Sequence, residues 1–250
     1  MTRPCTIVIS GKGGTGKTTI AALLIDALIA AGERPILAVD ADPNANLHEA
    51  LGIALTETLG GMREEAFTRA IPPGMDRTGY VKYRFRRALA EAEGYDLLAM
   101  GRPEGSGCYC FPNALLTECI GTLERGYRFV VVDSEAGMEH IARGTIKNPD
   151  VLLIVSDPSA RGIRTAGRIR DLAEGLGLSR DRVFLAVNRD RGDAVVESNL
   201  PLVARIPEDR GVGEADLAGT PIVGIPQESP ARAAVRMLAG WLIEECARRG

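Results

Sequence analysis

Gly11-Lys12-Gly13-Gly14-Thr15-Gly16-Lys17-Thr18 has the spacing G-x-x-x-x-G-K-[ST]. Those residue types in that order suit phosphate chemistry. Glycines allow backbone N–H groups to converge on phosphate oxygens, and a helix opening at Lys17 adds its positive dipole end. Lys17 is expected at the β/γ-phosphates, the Thr18 hydroxyl on Mg²⁺, and Thr19 at the α-phosphate. A second lysine, Lys12, directly follows the first glycine.

Carboxylates stand where such a loop needs a cation. Asp133 ends the apolar run Phe129-Val130-Val131-Val132, the pattern of an acid that holds Mg²⁺ through water. Asp40 and Asp42 end another run, in Asp40-Ala41-Asp42-Pro43-Asn44-Ala45-Asn46. Two acids at i and i+2 either serve the site or cap the segment that follows. Asn188 closes a further run, and its amide can donate to and accept from adenine. No N-K-x-D guanine motif is present; the matching stretch is Asn188-Arg189-Asp190-Arg191.

Cys108-Tyr109-Cys110 is the other chemical signal. Residues at i and i+2 on extended chain face one side, so the two thiolates can grip one soft metal ion, Ni²⁺ or Zn²⁺. Two ligands do not complete a tetrahedral or square-planar site, whereas a two-fold homodimer supplies four. Cys5, Cys119 and Cys246 read as small buried residues, and all five cysteines as free thiols or metal ligands rather than disulfides.

These residues need a scaffold. Apolar runs at 6–10, 36–40, 97–100, 129–133, 151–156, 183–188 and 202–206 read as strands buried on both faces. Helical patterns cover 17–31, 113–125, 163–176 and 230–248. The alternation predicts an α/β fold: a doubly wound, mostly parallel sheet flanked by helices, in one domain over 1–250. Ligands of such sheets bind beyond the carboxyl ends of the strands, where the polar residues collect. Residues 56–87 are the least regular; their basic cluster Lys82, Arg84, Arg86, Arg87 reads as a solvated helix face. The net charge of −3 gives no basic field for nucleic acid. No signal peptide and no spanning apolar run are evident, so the expected location is cytoplasmic.

The loop Gly-Lys-Gly-Gly-Thr-Gly-Lys-Thr-Thr resembles the deviant P-loop of the MinD/ParA/nitrogenase-iron-protein class of ATPases. That resemblance implies binding of ATP/ADP with Mg²⁺, and a homodimer in which Lys12 reaches the partner's nucleotide. It implies that Asp42 positions the attacking water, that Asp40 lies near the metal, and that 133–137 form a second switch. Asn188 and Pro207-Glu208 match the class's adenine-binding segments. Within the class, Glu104-Gly105-Ser106-Gly107-Cys108-Tyr109-Cys110, the stretch from Asp133 to His140 and Ser156 to Gly162 resemble CooC-type ATPases. Those assist nickel insertion into carbon monoxide dehydrogenase, which would be the client here. An iron–sulfur ATPase like nitrogenase iron protein is disfavoured, because no cysteine lies between Cys119 and Cys246. A positioning ATPase of the MinD or ParA kind would use 231–249 as a basic amphipathic membrane helix, although packing on the sheet explains that segment equally well.

Overall fold

The computed structural model describes residues 3–61, 74, 80, 83, 87–102, 126–135, 148–192 and 196–249. Among them, eight strands form one sheet: β1 (Cys5–Gly11), β2 (Ile36–Asp40), β3 (Leu89–Ala92), β4 (Tyr95–Ala99), β5 (Phe129–Asp133), β6 (Val151–Ser156), β7 (Val183–Asp190) and β8 (Leu202–Pro207). Their order is β3-β4-β2-β5-β1-β6-β7-β8. Every pairing is parallel except β3 with β4. β3 is a finding that hydropathy alone did not foresee.

The near-continuous apolar runs are explained by layers on both sides. Alternate strand residues face opposite cores. Ile7, Ile9, Ala38, Val131 and Leu153 join one, and Val8, Val39, Val130, Val132 and Leu152 join the other. The first core is closed by α1 (Lys17–Ala30) and α5 (Pro230–Arg249), the second by α3 (Ala160–Gly175). Two further helices, α2 (Leu47–Leu51) and α4 (Arg210–Ala218), flank the first core. α1 is apolar nearly all round because the sheet, α2 and α5 pack against it.

α5 is docked along its length. Val235, Leu238, Ala239 and Leu242 are buried, and Trp241 meets Phe184 edge-on at 4.8 Å. Its apolar side is therefore spent on the sheet and α1. Buried Arg232 pairs with Asp26 of α1 at 2.5 Å and donates to the Ile225 carbonyl at 3.1 Å. No helix among the described residues is long and apolar enough to cross a membrane. Cys5 and Cys246 correct the expectation of free thiols: they form a disulfide, with Cα atoms 5.8 Å apart. β1 and the last turn of α5 bring them together across a sequence separation of 241.

The predicted helix at 113–125, the basic residues Lys82, Arg84 and Arg86, and Cys108, Cys110 and Cys119 lie outside the described residues.

Candidate functional site

The site forms at the carboxyl edge of the sheet around β1. There β1 lies between β5 and β6, and the chain runs outward in both directions. That is the crevice such sheets offer to ligands. A cavity of about 670 Å³ opens there. Gly13, Gly14, Gly16, Lys17, Thr18 and Thr19 line it from the loop and the start of α1. Asp42 and Asn44 line it from beyond β2, and Asn188, Arg189, Pro207, Glu208 and Asp209 from the far side. Gly11 and Thr15 lie behind this wall, and Thr15 is fixed by bonds from its hydroxyl (2.9 Å) and amide (3.4 Å) to the Lys12 carbonyl.

Sequence-distant residues meet closely. The register pairs Asp40 with Asp133 and Ile9 with Asp133, so both acids end their strands at one level. Thr18 donates to Asp133 Oδ2 at 2.6 Å. The other oxygen, Asp133 Oδ1, is buried and has no hydrogen-bond partner. A threonine hydroxyl against a buried carboxylate with an unused oxygen is a donor set suited to a hydrated hard cation. Asp40 is fully buried and accepts from the amides of Asp42 (3.1 Å) and Leu47 (2.8 Å). It thus also shapes the loop that carries Asp42.

Burial dominates the electrostatics. It raises Asp40 to about 8, helped by the neighbouring Asp133 charge. It raises Asp133 to about 6, against the opposing pull of the Thr18 hydrogen bond and of Lys17. Burial thus disfavours the ionised form of both acids, and a cation bound between them would favour it in place of the proton.

Asn188 has a role the sequence did not disclose. Its Nδ2 donates to the Thr15 carbonyl at 2.8 Å, tying β7 to the phosphate loop. Gly16 is needed here because a Cβ would overlap the Asn188 amide, and its φ of 88° is left-handed. That bond uses one of the two Nδ2 hydrogens, so the other and Oδ1 are left to meet a base. A register shift follows between Asn188 and Asp190, where Arg189 takes φ 57° and lines the cavity. Bulges of this kind re-aim side chains beside sites. Asp209 accepts from Gly211 N (2.8 Å), Ser229 Oγ (2.6 Å) and Ala231 N (3.0 Å), so the segment holding Pro207 and Glu208 is braced against α4 and α5.

Lys12 is exposed and is not among the residues lining the cavity of its own chain. It lies near Asp157: partial burial pushes that carboxyl up, but Ser159 hydrogen bonds and the Lys12 charge together hold it below its usual range. Asn44, Arg189 and Asp209 line the cavity although sequence reasoning did not single them out; Asn44 and Arg189 stand in the quoted segments, and Asp209 directly follows Pro207-Glu208. Among the described residues, no group of three or more His, Cys, Asp or Glu side chains forms a metal cluster. The second switch is described only as far as Glu135, and His140 lies outside the described residues.

Comparison with known proteins agrees with this geometry. The family described as the CobQ/CobB/MinD/ParA nucleotide binding domain matches residues 6–222. An uncharacterized ATP-binding protein of Methanocaldococcus jannaschii is 39% identical over 250 residues, covering 96% of this chain and 98% of that one. The carbon monoxide dehydrogenase accessory protein CooC of Rhodospirillum rubrum is 34% identical over 235 residues, covering 85% and 87%. Among solved structures, MinD complexed with Mg-ADP from Pyrococcus horikoshii superposes with a TM-score of 0.71 at 25% identity, covering 96% of each chain. A ParA family ATPase of Chlorobium tepidum shares the fold, with a TM-score of 0.73 at 21% identity over 95% and 99% of the two chains. The chain belongs to the CobQ/CobB/MinD/ParA family of nucleotide-binding P-loop ATPases.

Proposed function

We propose that this chain is an ATP-hydrolysing metallochaperone, acting as a homodimer of one ATPase domain and assisting nickel insertion into carbon monoxide dehydrogenase. The observation that carries the reading is Cys108-Tyr109-Cys110 in a chain 34% identical to a carbon monoxide dehydrogenase accessory protein. MinD with Mg-ADP supports ATP/ADP and Mg²⁺ as the nucleotide cofactors. Thr18 and Asp133, with Asp40 beside them, would hold the cation, which would supply charge neutralisation at the phosphates. The loop from Gly11 to Gly16 cradles the phosphates, with Gly13, Gly14 and Gly16 facing the cavity; Lys17 holds the β/γ end, and Thr19 the α end. Asp42 orients the attacking water. Asn188, whose amide can both accept from and donate to adenine, lines the cavity beside Pro207 and Glu208, and the match of these positions to the class's adenine-binding segments favours adenine.

Lys12 crosses to the nucleotide of the second copy, closing the dimer when ATP is bound. Closure aligns four thiolates from two chains around one Ni²⁺ or Zn²⁺ ion, and hydrolysis loosens them. The fold likeness to MinD and ParA equally supports a positioning ATPase. The two readings separate at the cysteines. With Cys108→Ala plus Cys110→Ala, bound Ni²⁺ or Zn²⁺ falls from about one ion per two chains to none while ATP binding persists. Unchanged metal stoichiometry in that variant, read by elemental analysis after gel filtration, sinks the metallochaperone reading.

A further inference from the structure

Arg102 lies 58 residues from Asn44 in sequence, yet its guanidinium donates to Asn44 Oδ1. Asn44 in turn grips the acid of the hydrolytic loop twice. Its Nδ2 donates to Asp42 Oδ1 at 2.9 Å and its backbone N–H to the same oxygen at 2.8 Å. The hydrogen bonds to Asp42's carboxylate among the described residues thus fall on Oδ1. Asn44 and Asp42 both line the nucleotide cavity, whereas Arg102 does not.

The base of Arg102 is held firmly. Met100 N donates to the Asp40 carbonyl at 2.8 Å, and Gly60 N to the Met100 carbonyl at 2.7 Å. Gly101 takes φ 63°, and a Cβ there would overlap Thr58. The backbone leaving β4 is therefore locked to the end of β2 just before Arg102 reaches over to Asn44. The Arg102 guanidinium therefore reaches Asn44 from an anchored backbone.

We infer that Arg102 is a positioning residue for ATP hydrolysis, setting the Asp42 carboxylate through Asn44. The inference rests on the reading that Asp42 orients the water. It goes beyond that reading in assigning the orientation to a residue outside the cavity.

The test is steady-state ATPase kinetics on Arg102→Ala, Arg102→Lys, Asn44→Ala, the Ala/Ala double variant and Asp42→Asn, with melting temperatures for each. Loss of one orienting hydrogen bond is expected to lower kcat roughly three- to tenfold in Arg102→Ala. KM for ATP and the melting temperature stay at wild-type values. Arg102→Lys restores a donor and recovers most of the rate. Asn44→Ala loses at least as much, and the double variant loses no more than Asn44→Ala, as expected for one chain of contacts. A wild-type kcat in Arg102→Ala, or additive losses in the double variant, overturns the relay while a slow Asp42→Asn still upholds the role of Asp42. A wild-type rate in Asp42→Asn overturns both.

Discussion

Asp40 and Asp133 are adjacent buried carboxylates, and their protonation couples stability to the cation. Both have folded values above the ordinary carboxylate range, at about 8 and about 6. Between pH 4 and 8 the folded state then binds more protons than the unfolded one, so stability falls as pH rises. The opposite contributions of Asp157, Asp181, Asp190 and Asp209, whose values are lowered, are complete above about pH 5 and do not interfere. In calorimetry without nucleotide or Mg²⁺, the protein should therefore melt lower at pH 8 than at pH 5.5. Asp40→Asn should remove most of that slope and Asp133→Asn only its part up to about pH 6, and Mg·ADP should stabilise more at pH 8 than at pH 6, because the cation replaces protons. A wild-type slope in Asp40→Asn would contradict this assignment.

At the scale of elements, β1 and α5 are joined by Cys5–Cys246 as well as by the apolar core. A crosslink spanning nearly the whole chain restricts the unfolded ensemble strongly, an effect of about 2–4 kcal/mol in typical cases. Cys5→Ser plus Cys246→Ser should lower the melting temperature by roughly 5–15 °C without changing KM for ATP, and wild-type protein melted in excess dithiothreitol should match the variant. Identical melting with and without reductant would show that the bond contributes nothing. The elements also show what a sequence exposes. Continuous runs such as Val151–Ser156 are legible because both faces are buried. β3 is not, since Leu89–Ala92 is an edge strand with an exposed Glu91 and no β-branched residue, and its antiparallel pairing with β4 supplies the order. α2 has only five residues, and α4 carries two glycines in its first turns, so neither shows a helical period. At the site, the gathering of the glycine-rich loop and the strand-end acids at one edge of the sheet was legible in their spacing. The Asn188–Thr15 bond and the Arg102–Asn44–Asp42 chain were not, because they depend on strand order rather than on local pattern. The Cys5–Cys246 pair failed for the same reason: only the packing of α5 on the sheet brings the thiols together.

The whole molecule, as one chain, carries half of what the proposed mechanism needs. Lys12 stands exposed outside its own cavity, and a single chain brings only the two thiols of its C-x-C motif to a four-coordinate ion. Both deficits are met by a second copy related by a two-fold axis. The most direct measurement is size-exclusion chromatography with light scattering in four conditions: no ligand, Ni²⁺, ATP·Mg²⁺, and both, with metal quantified in each peak. The account predicts a dimer with both ligands carrying about one ion per two chains, a shift to monomer in Lys12→Ala with ATP·Mg²⁺ alone, and no metal in Cys108→Ala plus Cys110→Ala. A monomer in every condition, or a dimer peak whose metal survives loss of both cysteines, would contradict it.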